Sequence, residues 1–234
     1  FAVNLIVHRS NDRLEHDLRA CVEARVPLVI TSLGARPDVN DAIHGYGGLV
    51  LHDVTDERFA RNAIEKGADG LVAVAVGAGG HAGALSPFAL VAEIRRWFDG
   101  PLALAGAIAT GEGVLAAEAM GADLAYVGSP FIATPEAQAD PAYRAMVVAG
   151  GAGDIVNTDH FSGIPANYLA ASVRAAGFDP DALPATRGTL DLSADGAGPK
   201  AWRDIWSAGQ GIGAVDEVRP AGERIRAMAE ADRR

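Results

Sequence analysis

Six short runs of Val, Leu, Ile and Ala recur along the chain, at 2–7, 28–33, 48–54, 70–76, 102–108 and 124–132. Each is too apolar for a half-solvated face, which predicts buried strands. Between them, 12–24, 56–66, 87–98 and 111–120 carry apolar residues at helical spacing. Strand and helix alternate, and that order implies a parallel sheet with helical crossovers. Two helix-to-strand joints repeat one pattern, Gly67-Ala-Asp69 and Gly121-Ala-Asp123. In each, Gly can close the helix in the left-handed conformation, and Asp can bond the local backbone before the next strand. A strand spacing of about 20 to 30 residues suits either a (β/α)8 barrel or a doubly wound sheet.

After residue 132 the pattern turns helical or irregular, at 140–149, 165–176, 200–208 and 221–229, with a Gly-, Pro- and Asp-rich stretch over 177–199. No further strand is predicted there. The expected division is a barrel-type segment over 1–132, a helical cap or substrate domain over 133–213, and a C-terminal helix in 214–234 that packs back on the barrel.

Composition narrows the class. The 234 residues are 49% hydrophobic and 21% charged, which predicts a folded, soluble protein rather than a disordered one. The apolar runs are all shorter than the roughly 18 residues that a bilayer span needs. The start also shows no secretory signal, and a cytoplasmic setting is expected. The first residue is Phe1, at the head of an apolar run, so sequence missing ahead of it is expected. Cys21 cannot form an internal disulfide and is expected to pack in a helix. With 20 basic and 30 acidic residues the net charge is -10, which opposes a polyanionic partner such as nucleic acid. One buried phosphate remains compatible, because backbone N–H groups can hold it without a basic patch.

The densest chemical feature is Gly77-Ala-Gly79-Gly80-His81-Ala-Gly83, directly after the fourth apolar run. Glycines let backbone approach a ligand closely. The run partly fits a dinucleotide fingerprint, but that motif must open a helix, and the next helix is better started at Ser86 and Pro87. His81 stands at the carboxyl end of a parallel strand, where such folds place their chemistry, and an imidazole there can take or give a proton. The strand ends at Gly106-Ala107 and Val127-Gly128-Ser129 offer small residues with backbone donors, as the phosphate site of a barrel does. Asn4 in the first strand, His52 and Asp53 at the end of the third, and Gln210 in a glycine-rich segment are weaker candidates; for His52 and Asp53, capping the strand is the simpler reading. Neither His, Cys nor carboxylate spacing argues for a metal.

Taken together, Gly67-Ala-Asp-Gly, Gly79-Gly-His81-Ala-Gly, Ala105-Gly-Ala-Ile-Ala-Thr-Gly and Val127-Gly-Ser-Pro-Phe-Ile-Ala-Thr134 closely resemble the nitronate monooxygenase (2-nitropropane dioxygenase) family. Phe161-Ser-Gly-Ile-Pro-Ala-Asn-Tyr168-Leu and Trp206-Ser-Ala-Gly-Gln210-Gly-Ile-Gly add to the match. The resemblance implies an α/β fold, a (β/α)8 TIM barrel, with a small helical second domain. In that family two strands precede the segment equivalent to Phe1, so the six strands here correspond to strands 3 to 8, and the first two are lacking. It implies FMN as cofactor and oxidation of alkyl nitronates, with nitroalkanes as further substrates, by O2 to a carbonyl compound and nitrite. His81 matches the base or substrate-orienting residue. Asn4, Gly79, Gly80, Gly106, Ala107, Tyr126, Val127, Gly128 and Ser129 match flavin contacts, the later ones around the phosphate. His52 and Gln210 are the candidate substrate contacts.

The chain departs from the family at Gly106-Ala107, where Gly-Gly is common, and at Ser129, where Thr is frequent; both changes keep a small residue with its N–H. Val74 stands where a polar residue is often found, which bears on substrate range. The expected partners are a small-molecule substrate and O2, without nucleic acid or membrane, and a homodimer is an open expectation. An FMN-dependent NAD(P)H reductase of enoyl thioesters or quinones is the runner-up, and a non-catalytic flavin-binding barrel is the reading outside enzymes.

Overall fold

A computed structural model describes residues 1–184 and 201–232. Residues 185–199 of the Gly-, Pro- and Asp-rich stretch, and Lys200, lie outside the described residues. In chain order the first part comprises β1 (Ala2–Ile6), α1 (Leu14–Glu23), β2 (Leu28–Ser32), α2 (Pro37–His44), β3 (Leu49–Val54), α3 (Glu57–Glu65), β4 (Gly70–Val74), β5 (Gly80–His81), α4 (Pro87–Arg95), β6 (Leu102–Ala105), α5 (Gly111–Met120) and β7 (Leu124–Tyr126). The rest comprises α6 (Ser129–Ile132), α7 (Pro141–Ala149), β8 (Ile155–Thr158), β9 (Ala166–Leu169), α8 (Ala170–Ala175) and α9 (Ala221–Asp232).

The six predicted strands form one parallel sheet in the order β1-β2-β3-β4-β6-β7. Doubly wound sheets reverse their strand order at a switch point, whereas a barrel wall adds strands in sequence, so this order selects the (β/α) barrel architecture. Side-chain alternation then sorts each strand. Val29, Val50 and Leu5 pack outward with Val39 and Ile43 of α2, while Ile30, Leu51, Val72 and Val74 form an inner apolar layer. A second outer layer joins Leu71, Ala73, Leu102 and Leu104 to Leu90 and Ile94 of α4. Cys21 is buried in the first of these layers. The sequence pattern missed α2, whose eight residues carry only Val39 and Ile43 as large apolar groups.

The Gly-x-Asp joints act with a longer reach than expected. Gly67 and Gly121 take φ of 93° and 106°, as helix-closing glycines do. The aspartates, however, bond the neighbouring strand instead of local backbone. Asp69 Oδ2 accepts from Val50 N (2.7 Å) and Asp123 Oδ2 accepts from Leu102 N (2.8 Å). Their own N–H groups donate to the carbonyls of those same residues, at 2.8 Å in both cases. Each joint therefore sets the register between adjacent parallel strands. Asp56 and Thr110 cap α3 and α5 by accepting from Phe59 N (2.8 Å) and Gly113 N (3.2 Å), whereas the Ser86 side chain makes no capping bond.

The region after β7 differs from the helical expectation in three ways. The strand predicted over 124–132 ends at Tyr126 and gives way to α6, which Pro130 initiates. The stretch predicted as a helix over 165–176 is strand β9 followed by α8, and β8 pairs antiparallel with β9. The described part of 200–208 is a tight turn closed by a bridge between Ala201 and Ile205, not a helix. The cap thus contains a sheet, β5-β9-β8, and its edge strand β5 belongs to the barrel segment. The terminal helix α9 packs on α5 and α6. No helix among the described residues is long and apolar enough to cross a membrane.

Candidate functional site

A cavity of about 570 Å³ opens at the carboxyl ends of the parallel strands. That size falls in the usual range of small-molecule sites, about 300–1,000 Å³. Its wall takes Asn4 from β1, Ser32 from β2, Asp53 from β3 and Val74 from β4, then Gly106 and Ala107 after β6 and Tyr126, Gly128 and Ser129 at the end of β7. Gly79, Gly80 and His81 close one side, facing Trp202 and the 207–209 segment. The described lining contains no Lys or Arg. No cluster of His, Cys, Asp or Glu suited to a metal occurs among the described residues.

His81 is positioned by backbone pairing that the sequence pattern did not predict. Gly80 and His81 pair antiparallel with Asn167 and Ala166 of β9. The buried Asn167 amide donates to Ala78 O (2.7 Å) and its Oδ1 accepts from Asn157 (2.9 Å), which ties the glycine loop to the cap. The His81 ring meets Trp202 edge-on at 4.8 Å between centroids. Its Nε2 is buried and has no hydrogen-bond partner. Buried polar atoms are normally satisfied, and His81 lines the cavity, so this nitrogen is left to pair with a water or a bound molecule. Burial pushes the imidazole below its ordinary pKa, so the neutral ring is present at neutral pH.

The glycine loop is clamped from the other side as well. Gly77 O accepts from Ala107 N (3.2 Å) and from Gln210 N (2.8 Å), and Ser129 Oγ accepts from Gly209 N (2.8 Å). A Cβ on Gly209 would lie 2.5 Å from Gly77 O, so only glycine fits this crossing. A Cβ on Gly128 would meet nothing within 4 Å, which leaves open space beside that strand end. Ala107 therefore lines the cavity, but its N–H serves the loop clamp instead of standing ready as a phosphate donor. Leu33, Ala107 and Trp202, all on the lining, are left-handed at φ 63°, 56° and 63°. Such conformations cost about 1–3 kcal/mol each outside glycine and collect where a site imposes them.

The structure brings together Asn4, Gly79, Gly80, His81, Gly106, Ala107, Tyr126, Gly128 and Ser129. It does not place Val127, His52 or Gln210 on the lining. Tyr126 and Gly128 flank Val127 and face the cavity in its stead. His52 lies on the helix-facing side of β3, buried, with Thr31 Oγ1 2.7 Å from Nδ1; burial pulls its pKa down to about 4. Gln210 braces the glycine loop from behind through its backbone N–H.

These residues can be set beside known proteins. The nitronate monooxygenase family model matches residues 8–230. The chain belongs to the nitronate monooxygenase family. It is 31% identical over 230 residues to a nitronate monooxygenase of Pseudomonas aeruginosa, covering 89% of this chain and 64% of that protein. The chain thus spans less than two thirds of that relative's length. Among solved structures, FabK from Thermotoga maritima is similar over 100% of this chain and 76% of that chain, with a TM-score of 0.79 at 26% identity. Nitroalkane oxidase from Streptomyces ansochromogenes shares the fold, with a TM-score of 0.73 at 24% identity over 94% of this chain and 67% of that chain.

Within this nitronate monooxygenase family member, sequence reasoning missed three of the polar and aromatic lining residues. Ser32 and Trp202 sit in strings without a motif, and Tyr143 belongs to a cap helix. Asp53 was read as a strand cap beside His52. Strand alternation carried the usable signal: Asp53 shares parity with the inner Leu51, and His52 does not.

Proposed function

We propose that the protein binds FMN in this cavity and oxidises alkyl nitronates with O2 to a carbonyl compound and nitrite. The observation that carries the reading is the buried, unpartnered His81 Nε2 on the wall of a cavity lined at its far end by glycine. The residues present suit a flavin: the open space at Gly128 takes a phosphate end, and the polar side chains of β1–β3 take a ring edge. Ser129, whose oxygen already accepts from Gly209, keeps its own proton to donate. No lysine or arginine is needed, since backbone amides and hydroxyls neutralise one phosphate over a short distance.

When bound, the flavin supplies electron acceptance from the nitronate and transfer to O2. The chain's own residues bind, orient and exclude water. The neutral His81 imidazole can direct Nε2–H at a nitronate oxygen, or in the other tautomer take a proton from the carbon of a neutral nitroalkane. Trp202 and Val74 bound this region with apolar surface. The test is nitrite release from propionate 3-nitronate or ethyl nitronate under air by FMN-loaded protein.

A second reading, an FMN-dependent NAD(P)H reductase of an enoyl thioester or quinone, draws on the likeness to FabK over the full chain. Rapid NAD(P)H oxidation with such an acceptor, and no nitrite from nitronates, would establish it in place of the first.

A further inference from the structure

Trp202 is a large aromatic residue in the left-handed conformation, at φ 63°, and it stands on the cavity wall. A bulky side chain keeps such a backbone only where its surroundings impose it. Here a tight turn imposes it: Ala201 and Ile205 form a bridge, and Trp202 N donates to Ile205 O (2.9 Å). The turn is fastened to the cap. Ile205 is buried with Ala166, Tyr168 and Val173, Trp206 N donates to Ser172 Oγ (2.8 Å), and Leu169 N donates to Trp206 O (3.0 Å). From those anchors the indole reaches the barrel segment and meets the His81 ring edge-on, at 4.8 Å between centroids. The buried Tyr168 ring lies behind it at 6.3 Å. A Cβ on Gly80 would come within 3.8 Å of the indole nitrogen, so Trp202 also extends over the glycine loop. On the barrel side, Val74 packs in one cluster with Ala78 and Ala82, which bracket Gly79, Gly80 and His81. The space at His81 is therefore faced by apolar surface from both the cap and the barrel segment.

We propose that Trp202 is a specificity-determining residue: with Val74 it forms a subsite for the carbon chain of the nitronate, so that a four-carbon alkyl nitronate is preferred over a two-carbon one. The inference rests on the proposed nitronate reaction at His81. A nitronate held at His81 Nε2 carries its chain on the carbon next to the nitrogen, and the indole is the aromatic surface in contact with that imidazole. Each methylene that leaves water against such a surface strengthens binding about fourfold. The gain comes from the chain and not from the nitronate group. It is read as a ratio between two substrates, which does not depend on how much flavin each protein holds.

The test is the ratio of kcat/KM for butyl nitronate over ethyl nitronate, from nitrite release under air, in FMN-loaded wild type, Trp202→Phe and Trp202→Ala. The two added methylenes should give the wild type a ratio of about ten or more. Trp202→Phe should keep about half of that, and Trp202→Ala should fall to about two or less. Butanoate and hexanoate, unreactive anions with the planar shape of a nitronate, give a readout without turnover through their perturbation of the flavin absorbance. Hexanoate should bind the wild type about tenfold tighter than butanoate, and Trp202→Ala should lose that difference. Trp202→Phe retains a ring in the turn, so it covers the case in which Trp202→Ala does not fold. A wild-type ratio near or below one, equal affinities for the two carboxylates, or one ratio shared by all three proteins overturns the chain subsite and leaves nitronate oxidation standing. Release of nitrite from neither nitronate overturns both.

Discussion

At the β1–β3 end of the cavity, the side chains of Asn4, Ser32 and Asp53 face inward, and Asn4 Nδ2 donates to Ser32 Oγ across the strands. At the β6–β7 end, Gly106, Gly128 and Ser129 present mainly backbone, and hydrogen bonds there clamp loops together. The parallel sheet and its strand ends are the same kind of structure in both places. The difference lies in what a ligand meets: directional side-chain acceptors at one end, and a small-residue cradle at the other. A flat heterocycle with N–H and carbonyl edges suits the first, and a compact anion suits the second. For the proposed FMN, the asymmetry would let a protein of net charge -10 take a phosphate without a lysine or arginine on the described lining.

The largest expected effect tests whether His81 belongs to either end. His81→Ala should lower nitronate turnover by about 100-fold or more while FMN and riboflavin affinities stay within a factor of about two. A matching loss of FMN affinity would make His81 part of the cofactor cradle. Next comes the charge at the side-chain end. Asp53 has a folded pKa of about 6 against an ordinary 3.8, so the folded state keeps a proton that the unfolded chain has released. Its contribution to stability is complete below the unfolded pKa and is lost as pH rises through about 6, a fall of roughly 3 kcal/mol. Denaturant unfolding at pH 5 and pH 8 should show about 1.4 kcal/mol of that decline in the wild type, since the rest falls below pH 5, and a much smaller one in Asp53→Asn.

A smaller effect addresses the glycine end. Gly128→Val should weaken FMN by about tenfold, or about 1.4 kcal/mol, leave riboflavin unchanged and leave the melting temperature close to wild type. Equal losses for both ligands would show that the phosphate does not lie there. The smallest effect lies outside the cavity. Asp123→Ala removes the strand-register bond to Leu102 N and the exposed pairing with Arg95, and should cost about 1 kcal/mol by thermal unfolding. The Leu102 N–H and the Arg95 guanidinium hold the Asp123 carboxyl below its ordinary pKa, so its contribution is present above the usual carboxylate range and lost as pH falls. That is the opposite slope to Asp53. Asp123→Ala should accordingly lose little stability, relative to wild type, at strongly acid pH.

Much of the barrel wall and nearly all of the glycine end were legible in the chain. Gly106, Gly128, Ser129 and the Gly79-Gly80-His81 run are local strings at strand ends, and their composition points directly at close backbone approach. The side-chain end was harder to read. Asn4, Ser32 and Asp53 are separated by whole β-α units, and each is an ordinary polar residue in an apolar run. His52 drew attention because imidazole is chemically conspicuous, yet it is Asp53 that lines the cavity. The cap strands β8 and β9 were missed because each has four residues and contains Asn. Their strand character comes from pairing with β5 and with each other.

By itself, then, the chain determined the succession of strands and helices, the glycine joints that separate them and the family to which they belong, because periodicity and backbone freedom are properties of neighbouring residues. Only the tertiary structure decided which face each strand residue occupies, that His81 is held by a cap strand with a buried, unsatisfied nitrogen, and that Asn4, Ser32 and Asp53 meet on one cavity wall. Those outcomes depend on register between segments distant in sequence, and a shift of one residue in β3 against its neighbours would turn Asp53 outward and His52 in.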